Sequence, residues 1–227
     1  MGNSFWMSPS FIVSLAFTLG VAYYSYVYLP MKMNKAYRQS LLTLARTVET
    51  KDIGAAGHGE RVAGYVVAVA RAMRISRKET LKMEYAAFLQ DIGNVQVPHY
   101  ILNKSTSLSE TEFEILKQHT VVGAEMVGEI QFLKSIAPII RHHHESWDGS
   151  GYPDGLKGSD IPDGARILAV CTGYDSMVHA RSYRDGMDRD QAIREIRMLA
   201  GSKYDPKVVE TFLRVLKKRE IEEERKG

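Results

Sequence analysis

The chain has 227 residues, of which 44% are hydrophobic and 25% are charged, a composition typical of one globular domain with short appendages. Its net charge of +3 and the lack of a basic stretch with interleaved aromatic residues argue against nucleic acid as a partner. The single cysteine, Cys171, excludes an internal disulfide, and its apolar neighbours predict a buried thiol.

The N-terminal residues 1–31 contain no charged side chain, and the stretch from Phe11 to Leu29 is mostly apolar. As a helix, this stretch is long enough to cross a hydrocarbon core about 30 Å thick. Basic residues follow from Lys32 onward, which predicts that the C-terminal side faces the cytoplasm. We therefore expect a single uncleaved anchor in a bacterial inner membrane. The alternative, a cleaved signal peptide, needs a basic beginning and a small-residue cleavage site, which this segment lacks.

Residues 32–51 are predicted to form a connector helix with four apolar residues on one face, namely Leu41, Leu42, Ala45 and Val48. This face is expected to pack on the domain that follows. The alternative is a dimerising helix next to the membrane, but the segment is too short to predict a coiled coil.

Amphipathic helices are predicted next. An apolar stripe runs from Val62 to Met73. Ser76 with Glu79, and Ser109 with Glu112, have the spacing of capping boxes and predict two further helix starts.

The last third of the chain continues the helical pattern. A buried helix is predicted over 165–180, Asp188 is expected to start another, and Asp205 followed by Pro206 opens the last one. Residues 217–227 are charged and are expected to form a solvated end. Because no alternating strand pattern competes, we predict an all-α domain.

The stretch from Arg141 to Gly155 has the most distinctive chemistry of the chain. An apolar helical run precedes it, so that His143 and His144 are predicted to continue a helix face at its end. Neutral imidazoles at such a position suit a divalent cation. The following loop, rich in Gly, Asp and Pro, is expected to bring Asp148 and Tyr152 close to the same site.

Several blocks, in this order, resemble the HD-GYP family, a helical branch of the HD phosphohydrolases associated with hydrolysis of cyclic di-GMP. They are HGERVA at 58–63, LQDIGN at 89–94, the helix around His119, HHESWDGSGYP at 143–153, ARILAV with YDSM at 165–177, and RSYR at 181–184. The resemblance covers about residues 50–215. It implies an HD-domain helical bundle with HD-GYP C-terminal helices over 52–216.

The resemblance also implies a site of two divalent ions that share a carboxylate and hydrolyse a phosphodiester. Five residues match the family's metal ligands: His58, Asp91, His119, His143 and His144. Asp91 is also the expected catalytic carboxylate. The residues expected to bind the substrate are Asp148, Gly151, Tyr152, Pro153 and Arg184. Mixed histidine and carboxylate ligands favour Fe, Mn, Zn or Ni.

Three residues depart from the family pattern. Gln90 replaces the histidine of the HD pair, Asn94 replaces a lysine expected to meet phosphate, and Thr172 replaces a late aspartate. A glutamate that holds a third metal in some members is also missing near Gly54 and Ala55. Amide and hydroxyl groups are poor ligands for these ions. The sequence therefore predicts one competent metal position, formed by Asp91 and the three later histidines, and one impaired position.

Two functions from different classes remain at this stage. One is a membrane-anchored phosphodiesterase that cleaves cyclic di-GMP to pGpG or GMP. The favoured one is an impaired phosphodiesterase that binds cyclic di-GMP or a related nucleotide and acts through a homodimer or a signalling protein. For the site itself a further alternative remains, in which the histidines are a fold-stabilising remnant without any metal.

Overall fold

The computed structural model describes residues 9–52, 54–179 and 186–224, and these residues are almost entirely helical. No strand occurs in these ranges, which confirms the predicted all-α class. The α-helices are α1 (Pro9–Tyr23), α2 (Leu29–Glu49), α3 (His58–Ala72), α4 (Arg77–Leu89), α5 (His99–Leu102), α6 (Glu110–Gly128), α7 (Ala137–Arg141), α8 (Asp163–Val178), α9 (Arg189–Met198) and α10 (Pro206–Glu224). Short 3₁₀ turns at Ile92–Val95, Lys134–Ile136 and Gly158–Asp160 and one π-helical turn at Tyr24–Tyr28 complete them.

The chain divides into two compact units, Met1–Ser40 and Leu41–Gly227. In the described part of the first unit most of the large apolar side chains are exposed, Phe17 and Tyr26 among them. The helical stretch Pro9–Glu49 is long and apolar enough to cross a membrane, as judged by length and composition. This agrees with the predicted location of an anchor.

The second unit is built around α3, which packs against α4, α8 and α10. Its apolar stripe at steps of three and four residues is completely buried at Val62, Val66 and Val69. Tyr65, Tyr174 and Phe212 join three of these helices through edge-to-face ring contacts with centroids 5.1–5.8 Å apart. The end of α2 adds Leu41, Leu42 and Ala45 to the same core, as the apolar face of this helix predicted.

Local side-chain chemistry explains where the helices begin. The Ser109–Glu112 capping box is complete, and Asp188 accepts a hydrogen bond from the first turn of α9. The other predicted capping box, that of Ser76 and Glu79, forms only in part, which corrects the prediction. Ser76 accepts from the backbone N–H of Glu79, but the Glu79 carboxylate pairs with Lys82 at 2.8 Å instead of turning back to the cap.

The helix before the histidines ends earlier than predicted. Helix α7 stops at Arg141, and His143 and His144 lie in the turn that follows it. The imidazole Nδ1 of His143 donates to the carbonyl oxygen of Ile140 at 2.6 Å. This carbonyl would accept the next helical hydrogen bond, so the side chain competes with continuation of the helix. The histidines therefore belong to a turn and not to a helix face.

Candidate metal centre

Three histidines converge where α6 meets the turn after α7. His119, His143 and His144 each place one ring nitrogen within 4.8 Å of the others. The Nδ1 atoms of His119 and His143 lie 2.7 and 2.6 Å from the carbonyl oxygens of Leu116 and Ile140. A carbonyl only accepts, so Nδ1 carries a proton in both rings, and Nε2 is the nitrogen left to bind a cation.

The Nε2 atoms of His119 and His143 are buried and have no hydrogen-bond partner among the described residues. Burial, with His119 nearby, lowers the pKa of His143 to about 4, and burial lowers the pKa of His144 well below its ordinary value. The lowered pKa values keep His143 and His144 neutral at pH 7, the form in which an imidazole binds a cation. Buried polar atoms without partners are uncommon, and a bound metal would satisfy both of them.

Asp91 lies between this cluster and His58. Its Oδ1 is 3.8 Å from Nε2 of His119, and its Oδ2 is 4.0 Å from Nε2 of His58. These distances are too long for hydrogen bonds. They are short enough for the oxygen and the nitrogen of each pair to bind the same ion, with about 2.0–2.2 Å between the ion and each atom. Gly93 brings this turn close to α6, because an added Cβ there would overlap the carbonyl oxygen of His119. Gly93 therefore permits the close approach of Asp91 and His119.

His58 is held by an aspartate for which the sequence had suggested no role. The Nδ1 of His58 lies 2.6 Å from Oδ2 of Asp175. Arg61 donates one hydrogen bond to Oδ1 of the same carboxylate at 2.9 Å and one to Oδ2 at 3.0 Å. Burial alone would raise the pKa of Asp175, but the hydrogen bonds from His58 and Arg61 outweigh it and lower the pKa below its ordinary value. The ionised Asp175 fixes the ring of His58 so that Nε2 faces Asp91.

The start of α3, which carries His58, is secured from the end of α2. Gly57 offers no side chain to cap the helix. The carboxylate of Glu49 accepts hydrogen bonds from the backbone N–H groups of Gly57 at 2.8 Å and Gly59 at 2.7 Å. Glu49 thus performs the capping from a distance and fixes the backbone on both sides of His58.

Lys51 secures the turn that carries Asp91. Its Nζ donates to the carbonyl oxygens of Asn94 at 3.1 Å, Val95 at 2.7 Å and Val97 at 2.6 Å. These carbonyls end the 3₁₀ turn that begins next to Asp91. Glu49 is the last residue of α2, and Lys51 lies two residues beyond it. Together they position both halves of the site.

Gln90 and Thr172 bind each other. The hydroxyl of Thr172 donates to Oε1 of Gln90 at 2.6 Å, although the two residues are 82 positions apart. Gln90 is 1% exposed, and its Nε2 has no partner among the described residues. The pair offers an amide and a hydroxyl where the resemblance led us to expect an imidazole and a carboxylate. Neither group is a good ligand for a divalent transition metal, so a second ion does not fit this donor set well.

The signature loop contributes one residue to the neighbourhood of the histidines. Tyr152 stacks on His144, with ring centroids 4.9 Å apart and an interplanar angle of 21°. Asp148 is exposed and accepts hydrogen bonds from the backbone and hydroxyl of Ser150, so it stabilises the turn. Gly151 has room only for hydrogen, because a Cβ would overlap the backbone of the turn after His144. Pro153 follows Tyr152 in this loop, and the predicted substrate residue Arg184 lies outside the described residues.

A second polar cluster lies beside the site. His142 Nε2 contacts Asp154 at 2.8 Å, and Arg141 donates two hydrogen bonds of 2.7 Å to the same carboxylate. Glu145 accepts from the backbone N–H of Asp154 at 2.8 Å. Although these groups lie close enough to hold an ion, their ligand atoms are already engaged and include a fixed guanidinium partner. This cluster stabilises the loop.

The histidines open into a cavity of about 520 Å³. The residues that line it include His58, Asp91, Asn94, His119, His144 and Thr172, together with the loop from Lys104 to Leu108. Four of the five predicted metal ligands therefore face one cavity together with two of the three departures from the family pattern.

Comparison with known proteins gives one consistent result. The model of the family described as HD domain matches residues 43–208. A cyclic di-GMP phosphodiesterase of Thermotoga maritima is 40% identical over 171 residues, which cover 74% of this chain and 46% of the relative. A 3'3'-cGAMP-specific phosphodiesterase of Vibrio cholerae is 33% identical over 190 residues, covering 82% and 36% respectively.

A solved structure shows the same fold. A cyclic GMP-AMP-specific phosphodiesterase of Vibrio cholerae superposes with a TM-score of 0.62 at 20% identity, covering 79% of this chain and 48% of that one. The chain spans less than half the length of the curated relatives described above. The likeness therefore concerns one domain of those proteins.

Proposed function

Because this chain belongs to the HD domain family, as its motifs predicted, we propose that it binds a cyclic dinucleotide and hydrolyses it at or near the background rate. In this proposal it acts in cyclic-di-GMP signalling as a binding or interaction module. The observation that carries the proposal is the hydrogen bond between Gln90 and Thr172 beside an otherwise complete set of histidines.

The residues that would hold one divalent transition metal are Asp91, His119, His143 and His144. The fit rests on the unpartnered Nε2 atoms of His119 and His143 and on the carboxylate 3.8 Å from one of them. Such an ion supplies Lewis-acid chemistry, attracting a phosphate oxygen and lowering the pKa of water. Fe, Mn, Zn and Ni suit this mixed donor set better than Mg or Ca.

The side chains have separate roles in this proposal. Tyr152 stacks on His144 and restricts the orientation of this ring. Asp91 is the proposed catalytic carboxylate because it lies between His58 and His119. Gln90 and Thr172 contribute hydrogen bonding without charge. The negative charge that develops on a phosphodiester is therefore compensated at the competent metal position only.

An active phosphodiesterase is the second candidate. It is favoured by the identity of 40% to a protein named as a cyclic di-GMP phosphodiesterase. The two candidates share the fold and the nucleotide, and they differ in turnover.

Calorimetric titration with cyclic di-GMP, with nucleotide products followed in the same samples, separates these candidates. For the full chain in detergent with Mn²⁺ present, we expect saturable binding and no pGpG or GMP above a protein-free control. Turnover comparable to that of the Thermotoga maritima relative, assayed side by side, would establish the second candidate. Absence of binding would refute the nucleotide assignment of both.

We also propose that residues 1–31 anchor the domain in the bacterial inner membrane with the HD domain in the cytoplasm. Support comes from the exposed apolar side chains of the first unit and from the basic residues after Lys32. An alkaline phosphatase fused to the C-terminus should be inactive, whereas a green fluorescent protein at the same place should fluoresce at the membrane. A chain that starts at residue 32 is the control and should leave the membrane fraction. An active phosphatase fusion contradicts the orientation.

A further inference from the structure

A cationic residue lines the cavity that also contains predicted metal ligands. It lies in the loop between α5 and α6, from which Lys104, Ser105, Thr106, Ser107 and Leu108 line the cavity. Lys104 is the only lysine or arginine among the described residues that line this cavity. The same lining includes the carboxylates of Asp52 and Asp91, which repel a phosphodiester, and the charge of a lysine opposes this repulsion.

The ammonium of Lys104 is held in a defined place. Its Nζ lies 2.6 Å from Oε2 of Glu112, and the Lys104 side chain is only 30% exposed. Glu112 is itself fixed, because it completes the capping box of α6 by accepting from the backbone N–H of Ser109 at 2.7 Å. Upstream, Asn103 donates to the carbonyl oxygen of Lys51 at 2.9 Å and ties the start of the loop to the end of the connector. The position of Lys104 is therefore set by its ion pair with the first turn of α6 and by the hydrogen bond between Asn103 and the end of the connector.

We propose that Lys104 is a phosphate-binding residue of this site and contacts a phosphate of the cyclic dinucleotide in the cavity that the histidines also line. This inference rests on the proposed function, which supplies the anionic ligand. An ammonium has three N–H donors, and Glu112 accepts one of them. The remaining donors can meet a phosphate oxygen. The exposed residues Ser105 and Thr106, which follow Lys104 in the chain, add two hydroxyl groups. Charge-assisted hydrogen bonds of this kind are short and strong.

The simpler role for Lys104 is to staple the loop through its ion pair with Glu112. Two substitutions separate these roles, because both abolish the ion pair and only one removes the cation. Lys104→Met removes the positive charge from the cavity. Glu112→Gln removes the negative partner and with it the ion pair, while its amide oxygen can still accept from the backbone N–H of Ser109, which keeps the cap of α6. A staple requires both partners, whereas phosphate binding requires only the lysine.

Titration calorimetry of the full chain with cyclic di-GMP tests this inference. We expect Lys104→Met to raise Kd at least about tenfold, the range of one hydrogen bond to a charged group. Glu112→Gln should leave Kd within about threefold of the unaltered protein or lower it, because the local potential becomes more positive. Lys104→Arg should retain most of the affinity, and KCl should weaken binding by Lys104→Met less than by the unaltered protein.

Equal losses of affinity in Lys104→Met and Glu112→Gln would overturn the inference in favour of the staple, and so would an unchanged Kd in Lys104→Met. Circular dichroism monitors folding, and Lys104→Gln serves as a second charge-removing variant if Lys104→Met unfolds. If the unaltered protein binds no cyclic di-GMP, the proposed function fails and the inference fails with it. If it binds cyclic di-GMP but the variants do not differ in Kd, the inference fails and the proposed function stands.

Discussion

Replacing Gln90 by histidine together with Thr172 by aspartate is expected to add a second metal ion and to raise hydrolysis of cyclic di-GMP at least about 10²-fold above background. The two side chains already touch, with 2.6 Å between the Thr172 hydroxyl and Oε1 of Gln90. An imidazole and a carboxylate would therefore meet beside Asp91 and His58. Loss of a single electrostatic contact commonly costs about 10²–10³ in rate, and a missing ion should cost more. Adding Asn94→Lys should raise turnover further.

Each part of this expectation can be measured separately. Metal content by mass spectrometry and product formation by chromatography should rise together in the double variant and less in either single variant, because residues that act as a unit are not additive. The matched control combines Gln90→His with Ser176→Asp, which introduces the same two groups but places the carboxylate at another residue of the cavity that Thr172 lines and leaves Thr172 in place. A control that gains as much turnover as the double variant would contradict the assignment of Thr172.

The second large effect is loss of metal from His143→Ala. We expect the metal content to fall from about one ion per chain to less than a tenth of that after dialysis. Removing even a group that only orients a ligand commonly weakens metal binding about 10–100-fold, and His143 is a proposed ligand itself. Because burial, with His119 nearby, keeps the pKa of His143 near 4, its ring does not need to lose a proton at pH 7 before it binds.

His142→Ala is the control for this experiment. His142 is the neighbouring histidine in the chain, but its ring contacts Asp154 at 2.8 Å and the carbonyl oxygen of Pro138 at 2.9 Å. The control variant should keep its metal, and circular dichroism shows whether each variant stays folded. Equal metal loss in both variants would mean that the histidine turn acts through folding. Full retention of metal in His143→Ala would mean that His143 is not a ligand, whereas an unaltered protein without metal would support the remnant.

Local signals in the sequence predicted much of the fold. The apolar stripe of α3, the capping box of Ser109 and Glu112, and the start of α10 after Asp205 depend on residues a few positions apart, and the structure has all three. The complete burial of Cys171 was also predicted from its immediate neighbours. Such features are encoded locally and need no knowledge of the tertiary structure.

Contacts between distant parts of the chain could not be predicted in this way. The bond between His58 and Asp175 spans 117 positions, and the three carbonyls that Lys51 binds are 43–46 positions away. The YDSM block contains Asp175, but nothing in it showed that this aspartate would hold His58. The end of α7 was missed for a local reason. The ring of His143 takes the carbonyl of Ile140, a competition that the hydrophobic period does not reveal.

The metal-to-chain ratio of the unaltered full-length protein, purified with a divalent transition metal and then dialysed, tests the central claim most directly. The claim is that Asp91, His119, His143 and His144 hold one ion, while Gln90 and Thr172 bind each other and leave the second position impaired. Mass spectrometry of the dialysed protein should give a ratio close to one. Two tightly held ions per chain would contradict the claim, because Gln90 or Thr172 would then have to serve as a ligand.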